Sequence, residues 1–310
     1  MSGDPGGPTR PQRLRAGDRV VVVAPAGPIS PEQLDAGCAI LSGWGLDVVK
    51  APHVTDVHER FGYLAGTDAD RAADLQAAWL DPSVSGVLCA RGGYGVQRMV
   101  DHLDWEAMRA AAPKVLSGYS DITALHEAFS TQLGIVTLHA PMVAAGSFIE
   151  EGHSTEMFRA TLFDPESTLT LTSPTAETLV PGTARGVTVG GCLSLLAADV
   201  GSATARPGAR GAIVVLEDLE EDLYRLDRMF TQLLRSGWFD GVCGIALGSW
   251  VDCEDGVREL ALDRLGGLGV PMVWELGVGH CPITLTVPLG VPATLDADAA
   301  TLTLDVPALR

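Results

Sequence analysis

The sequence predicts an α/β fold in which strands and helices alternate around a parallel sheet. Short β-branched runs, of which residues 19–24 (RVVVVA) are the clearest, alternate with amphipathic segments that suit helices. The connections between them are short and contain Gly and Pro, which leaves little room for other structure. Such alternation places helices on both faces of a parallel sheet. A chain of 310 residues is long enough for about two domains.

Capping residues mark the first two helices. Ser30 precedes Pro31 at the first helical position, and Thr67 begins a helical pattern that ends near Leu80. The other elements of this half are predicted from apolar runs and periodicity, with strands at residues 19–24, 46–52, 86–90 and from 115, and helices at 96–102 and after 120.

Three loops follow strands of this predicted sheet, at residues 25–28, 91–95 and 118–120. In open parallel sheets, ligands bind outside the carboxyl ends of the strands. The last two loops carry the glycines and polar groups that best suit a site. We therefore expect these two loops to be neighbours in space.

The character of the chain changes near its middle. Residues 144–186 are rich in Ser, Thr, Pro and Gly and are interpreted as a connector with one or two short strands. Residues 187–310 have the pattern of a smaller, mixed α/β domain with a β-rich end. With a disordered lead-in at residues 1–16, this division leaves residues 17–143 as the amino-terminal domain.

The composition excludes several classes of partner and site. A formal net charge of −18 disfavours nucleic acids and anionic membrane surfaces, because both attract clustered Lys and Arg. The sequence has no run of about 18 apolar residues and no signal-peptide core, so a cytoplasmic protein is expected. Six cysteines without a C-x-x-C pair indicate reduced thiols rather than disulfides or a zinc site.

The stretch around Ser120 has the pattern of a strand, a tight turn and a helix. An apolar run ends at Gly118, and apolar residues at spacings of three and four follow Ser120. A serine here lies beside backbone amides that have no helical partner, which suits the nucleophile of an acyl-transfer enzyme. Serine is also a common N-cap, and from this stretch alone the cap is the more frequent outcome.

A serine nucleophile needs a base and a carboxylate that orients the base. Among the seven histidines, His280 stands on a glycine-flanked turn (GVGHCP), whereas His126 lies on the helix after Ser120 and faces elsewhere. Glu217 and Asp218 end a buried strand and can supply the carboxylate. The alternatives for this acidic pair are a solvated strand end and a hard-cation site.

Residues 91–95 (RGGYG) resemble a phosphate loop only superficially, because the spacings of the P-loop and dinucleotide motifs are missing. Two consecutive glycines after a strand let backbone amides approach a ligand closely. One of these amides and the amide of Asp121 are placed to form an oxyanion hole.

Taken together, these segments resemble the LD-carboxypeptidases, serine peptidases that include the murein tetrapeptide LD-carboxypeptidases and the microcin C immunity peptidases. Two positions depart from the family pattern: Ala26 stands where many members carry serine, and Cys192 stands where members usually have asparagine. The matching segments span nearly the whole chain in the family's order, at residues 17–25, 61–68, 91–95, 118–123, 215–218, 224–229, 279–280 and 286–290.

The resemblance implies a Ser–Glu–His triad of Ser120, Glu217 and His280, with the main-chain amides of Gly93 and Asp121 holding the oxyanion. It also implies a Rossmann-like amino-terminal domain that carries the nucleophile and a smaller mixed α/β carboxy-terminal domain that carries the other two residues. No metal and no cofactor are expected.

The activity that the resemblance implies is release of the terminal D-alanine from murein tetrapeptides, by hydrolysis of an L,D-amide bond during cell-wall recycling. The expected partners are a murein-derived peptide and a second copy of the chain in a homodimer, without nucleic acid or membrane. Two alternatives stay open: a microcin C-type immunity peptidase that cleaves aminoacyl-nucleotide conjugates, and a non-catalytic α/β ligand-binding module.

Overall fold

A computed structural model describes residues 7–310. Its elements form two sheets with helices packed against them. The predicted α/β architecture, a Rossmann-like sheet followed by a mixed α/β part, is therefore confirmed. No helix within these residues combines the length and the apolar character needed to cross a bilayer.

The amino-terminal part consists of β1 (Arg19–Val23), α1 (Pro31–Gly43), β2 (Asp47–Lys50), α2 (Asp68–Leu80), β3 (Val84–Cys89), α3 (Val96–Met99), α4 (Trp105–Ala110), β4 (Val115–Gly118), α5 (Thr123–Ala128) and β5 (Thr137–His139). Short 3₁₀ turns at Val100–His102 and Ser120–Ile122 and a π-helical turn at Phe129–Leu133 adjoin these helices.

The rest of the chain consists of α6 (Gly146–Ile149), α7 (Gly152–Phe163), β6 (Thr170–Leu171), β7 (Glu177–Val180), β8 (Thr183–Cys192), α8 (Leu193–Asp199), β9 (Ala212–Leu219), α9 (Leu223–Arg235), β10 (Gly244–Val251), α10 (Val257–Leu265), β11 (Met272–Trp274), β12 (Val287–Leu289), β13 (Pro292–Asp296) and β14 (Thr301–Leu304). Two further 3₁₀ turns lie at Pro165–Thr168 and Gly266–Leu268.

Both predicted helix caps are confirmed. The Ser30 hydroxyl accepts hydrogen bonds from the amides of Glu32 and Gln33, at 3.2 and 3.3 Å. The Thr67 hydroxyl accepts one from the amide of Asp70 at 3.1 Å. These side chains pair amides that have no partner within their own helix.

The first sheet has the strand order β12–β5–β4–β3–β1–β2. Strands β1 to β5 are parallel, whereas β12 comes from the carboxy-terminal part and pairs antiparallel with β5. Because β3 and β4 are neighbours, the loops that follow them leave the sheet side by side, as predicted.

The second sheet has the order β6–β14–β13–β8–β9–β10–β11–β7. Its centre, from β8 to β11, is parallel, and the outer strands pair antiparallel. Apolar side chains fill separate cores around the two sheets. Trp79 and Phe129 are buried on the first sheet, and the amphipathic helix α9 buries Leu226 and Phe230 in the second.

The two parts contact each other at the start of α5. The amide of Cys192, at the end of β8, donates a hydrogen bond to the Thr123 hydroxyl at 3.0 Å. Gly191 permits this approach, because a Cβ at that position would lie 2.5 Å from the same hydroxyl. The turn at Ser120, directly before α5, is therefore held close to the second sheet.

The first six residues of the predicted lead-in (residues 1–16) lie outside the described residues. Beyond them, Leu14 is buried, and the amide of Thr9 donates to the carbonyl of Gly134 at 2.6 Å. This part of the lead-in is therefore packed against the fold rather than disordered. The sequence pattern missed it because a single buried leucine among polar residues and prolines has no periodicity.

Residues 144–186 hold the helix α7 in addition to the expected short strands β6 and β7. The buried face of α7 consists of Ser154, Phe158, Thr161 and Leu162. Half of these residues are polar, so the apolar period that would predict a helix is weak.

Candidate active site

Ser120 lies on a strained turn between β4 and α5. Its φ is +64°, in the left-handed region that residues other than glycine rarely adopt. Tyr119, not Ser120, occupies the cap position of the following turn, and it makes no capping hydrogen bond. The interpretation of Ser120 as an N-cap is therefore wrong. Strain at a strand-to-helix turn is typical of a nucleophile whose hydroxyl is held above the edge of a sheet.

Gly92 packs directly on Ser120. A Cβ at Gly92 would lie 2.8 Å from the Cβ of Ser120 and 3.0 Å from its hydroxyl. The carbonyl of Gly92 accepts a hydrogen bond from the amide of Gly27 at 2.9 Å, which ties the loop at residues 91–95 to the loop after β1. The glycine loop and the serine turn are thus neighbours, as the sequence predicts.

Gly93 and Asp121 are the predicted oxyanion donors. Gly93 follows the glycine that touches Ser120, and both glycines line the same cavity. Within residues 7–310, neither the amide of Gly93 nor that of Asp121 donates to a loop carbonyl. Their role in holding an oxyanion stays a prediction.

The side chain of Asp121 ties the serine turn to the glycine loop. Its Oδ2 accepts a hydrogen bond from the amide of Val96 at 2.8 Å, at the start of α3. Burial raises the pKa of Asp121 to about 6. This buried contact fixes the position of the turn at Ser120 relative to the loop at residues 91–95.

The buried Glu217 and the half-buried His280 form a close pair. With its proton on Nδ1, the His280 ring donates to Oε2 of Glu217 at 2.6 Å. Burial opposes the charge of Glu217, but attraction to His280 and His139 outweighs burial and lowers the pKa of Glu217 to about 2. Burial also opposes a charge on His280, yet the Glu217 carboxylate raises the pKa of that imidazole. Such a pair can serve as a base and its orienting carboxylate.

Gly279 makes room for this pair. A Cβ at Gly279 would overlap the carboxylate of Glu217, and its φ of +106° also disfavours any side chain. The amide of Gly279 donates to the Thr284 hydroxyl at 3.0 Å. On the other side, the amide of Cys281 donates to the Ser249 hydroxyl at 3.2 Å. The turn that carries His280 is therefore anchored at both ends.

Ser120 and His280 line one cavity of about 740 Å³ between the two sheets. The charged residues that line it are Arg91, Glu220 and Glu221, and glycines of the RGGYG loop form part of its wall. The structure therefore brings Ser120, His280 and Gly93 to the same cavity, with Glu217 buried directly behind His280.

Asp218 and His126, the competing candidates, have other partners. Asp218 accepts a hydrogen bond from the amide of Ser194 at 2.7 Å, and burial raises the pKa of Asp218 to about 6. The ring of His126 lies 2.9 Å from the carbonyl of Gly118 through Nε2, and burial lowers its pKa to about 3. Within the described part of the chain, no three His, Cys, Asp or Glu residues converge as a metal site.

The two departures from the family pattern lie away from the cavity wall. Ala26 is buried, and its carbonyl accepts a hydrogen bond from the amide of Ala65 at 2.9 Å. The Cys192 thiol is also buried, 3.4 Å from a carboxylate oxygen of Asp218. Both positions therefore support the fold near the site.

Three residues of the site were not singled out by the sequence. Gly92 and Gly279 provide space at Ser120 and Glu217, and His139 at the end of β5 reaches Glu217. The glycines were visible in RGGYG and GVGHCP, but spacing alone cannot tell which glycine makes a contact. Nothing in the sequence separates His139 from the other histidines.

Comparison with known proteins identifies the relatives of this chain. Residues 20–140 match the model of the LD-carboxypeptidase N-terminal domain, and residues 185–295 match that of the LD-carboxypeptidase C-terminal domain. The chain belongs to the LD-carboxypeptidase family. It is therefore a serine peptidase.

Individual relatives agree with this family. The chain is 65% identical to a putative carboxypeptidase of Streptomyces coelicolor, over 97% of each chain. It is 32% identical to the murein tetrapeptide carboxypeptidase of Pseudomonas aeruginosa, over 90% of this chain and 94% of that one. The microcin C7 self-immunity protein MccF, solved with aspartyl sulfamoyl adenosine, shares the fold with a TM-score of 0.88 at 23% identity, over 98% of this chain and 100% of that one.

Proposed function

We propose that this LD-carboxypeptidase family member hydrolyses the L,D-amide bond that precedes the terminal D-alanine of murein tetrapeptides. The observation that carries the proposal is the 2.6 Å contact between Glu217 and His280, with His280 and Ser120 on the wall of one cavity. This arrangement supplies a nucleophile, a base and an orienting carboxylate for acyl transfer.

In the proposed reaction, Ser120 attacks the carbonyl carbon of the scissile amide while His280 accepts the hydroxyl proton. Glu217 holds the imidazole and stabilises its cation. The amides of Gly93 and Asp121 donate to the oxyanion. His280 then protonates the leaving nitrogen, so D-alanine departs and an ester to Ser120 remains. Water, deprotonated by His280, hydrolyses this ester and regenerates the serine.

Arg91 supports a substrate that ends in a carboxylate. Apart from His280, it is the single basic side chain on the cavity wall within residues 7–310. Its guanidinium donates to the carbonyl of Pro28 at 2.8 Å, which restricts its position. Guanidinium groups bind carboxylates through paired hydrogen bonds. We assign Arg91 to the terminal carboxylate of the D-alanine.

The murein peptide is the substrate class that the name of the Pseudomonas relative supports. A cytoplasmic location, a role in cell-wall recycling and a homodimer belong to the same proposal, on the strength of the family resemblance.

Cleavage of aminoacyl-nucleotide conjugates is the rival activity, and the shared fold with MccF is its support. A nucleobase is usually held between aromatic rings. In the described part of the chain, Tyr119 and His280 are the only aromatic rings on the cavity wall, and they contact each other with ring centroids 4.8 Å apart. This wall therefore favours the peptide substrate.

The test is to measure release of D-alanine from a defined murein tetrapeptide and cleavage of aspartyl sulfamoyl adenosine by the same preparation. The proposal predicts rapid D-alanine release that needs Ser120, survives a chelator and exceeds cleavage of the conjugate. Faster cleavage of the conjugate, or equal D-alanine release by Ser120→Ala, would overturn it.

A further inference from the structure

His139 and Glu217 face each other with unpaired polar atoms. His139 is 1% exposed, and within residues 7–310 neither of its ring nitrogens has a hydrogen-bond partner. Oε1 of the fully buried Glu217 also lacks one. Nε2 of His139 lies 3.8 Å from that oxygen. Unpaired buried polar groups are costly and uncommon, so two that face each other need an explanation.

The fold brings His139 to this place from the same sheet as Ser120. His139 is the last residue of β5 and pairs with Gly118 of β4, two residues before the nucleophile. On its other side it pairs with Val287 of β12. Glu217 reaches the same point from β9 of the second sheet. The contact between His139 and Glu217 therefore joins the two parts of the chain directly behind the proposed base.

We propose that His139 is a positioning residue that holds the second carboxylate oxygen of Glu217 while the first oxygen receives the hydrogen bond from His280. This inference rests on the proposed function, in which Glu217 orients the base. His139 carries its proton on Nε2, which faces Oε1. At 3.8 Å the contact is electrostatic rather than a full hydrogen bond. In a site sealed from water, such a contact is much stronger than in solvent.

With one oxygen held from each side, the carboxylate of Glu217 cannot turn away from His280. The neighbouring histidine, His126, cannot replace His139, because its Nε2 already faces the carbonyl of Gly118 at 2.9 Å. The two histidine rings have centroids 6.3 Å apart. The titratable groups that surround the contact are Tyr119, His126, Cys192, Asp218, Glu220 and His280.

The first experiment uses the unaltered protein. Nitrogen-15 NMR of the histidine side chains, without substrate, reports which ring nitrogen of His139 carries the proton. The proposal predicts the proton on Nε2. A proton on Nδ1 alone would overturn it. Because no substrate is present, this result is independent of whether murein peptides are the substrate.

The second experiment compares His139→Leu, which removes the donor, with His139→Gln, which retains an N–H at similar reach. Without the donor at His139, the carboxylate of Glu217 interacts more strongly with protonated His280. The pKa of His280 should therefore rise in His139→Leu. The acid limb of kcat/KM should move to higher pH, and kcat should fall about 10-fold with KM little changed, the scale of coupling between residues in contact. His139→Gln should restore both quantities most of the way.

A purely structural His139 gives a different result. Both variants would then lower the thermal midpoint alike, and the NMR titration of His280 would be unchanged, which would contradict the proposal.

A double-mutant cycle adds a further criterion. In a Glu217→Gln background, His139→Leu should cause no further loss of kcat, and an undiminished 10-fold loss there would also contradict it.

Discussion

Oε2 of Glu217 lies 2.6 Å from Nδ1 of His280, although the two residues are 63 positions apart in the chain. The carboxylate stands on the rigid, buried strand β9, whereas the imidazole stands on a turn between β11 and β12. Placement of the acid on a buried strand and anchoring of the turn on both sides hold the imidazole in one orientation.

Replacing Glu217 with Gln removes the negative charge that stabilises protonated His280. Because that charge raises the pKa of His280, the pKa should fall in the variant, and the acid limb of kcat/KM should move to lower pH. We expect kcat to fall roughly 10³–10⁴-fold, as in triads whose carboxylate is neutralised. A pH profile of D-alanine release measures both effects.

The matched control is Glu220→Gln, which neutralises an exposed acid on the cavity wall. It should move the acid limb in the same direction but much less, because Glu220 contributes less to the pKa of His280. Equal shifts in the two variants would contradict a special role for Glu217.

Gly279→Ala should strongly reduce the activity, because the added methyl group would overlap the carboxylate of Glu217. The control is Gly201→Ala, which has a similar positive φ of +91° but no atom within 4 Å of the added Cβ. Both changes carry backbone strain of about 1–2 kcal/mol. Only Gly279→Ala should also lower kcat by about 100-fold or more, since a small misplacement of a catalytic group has that effect. Thermal unfolding and D-alanine release separate the two contributions.

Ser120→Gly should make the protein more stable while it abolishes the reaction. Glycine adopts a φ of +64° without steric cost, so the free energy of unfolding should rise by about 1 kcal/mol. Ser120→Ala, which keeps the strain but loses the hydroxyl, should be inactive without this gain. Thermal midpoints of the three proteins test this, and a less stable glycine variant would show that the turn is not strained.

Arg91→Gln should raise KM for the tetrapeptide about 10- to 100-fold, the range expected when a hydrogen bond to a charged group is lost. The change in kcat should be smaller. A tetrapeptide with an amidated carboxyl terminus serves as the control, because wild type and variant should then bind it equally weakly. A variant that still discriminates between the acid and the amide would exclude Arg91 as the carboxylate site.

Most of the fold could be predicted from the sequence, because apolar periodicity and helix caps are local features. Ser30 and Thr67 could be recognised as caps without any tertiary information. The packed segment at Leu14 and the helix α7 could not, because their contacts are long-range and their apolar patterns weak.

At the candidate site, residues with a local signature could be singled out from the sequence, whereas residues defined by tertiary contact could not. Ser120 and His280 stand on glycine-flanked turns, which the sequence shows. Gly92 and His139 matter because of what lies opposite them in space, and sequence spacing does not contain that information. The positive φ of Ser120 likewise follows from the packing of the turn, so the sequence could not show that this serine lies on a strained turn rather than at a helix cap.

In the proposed triad, Ser120 is a nucleophile that His280 and Glu217 activate. Labelling with a serine-directed phosphonate, followed by intact-mass analysis and peptide mapping, tests it most directly. We expect one phosphonate per chain, on Ser120, with labelling slowed strongly by His280→Ala. Labelling at another residue, or labelling of Ser120 that is equally fast without His280, would contradict it.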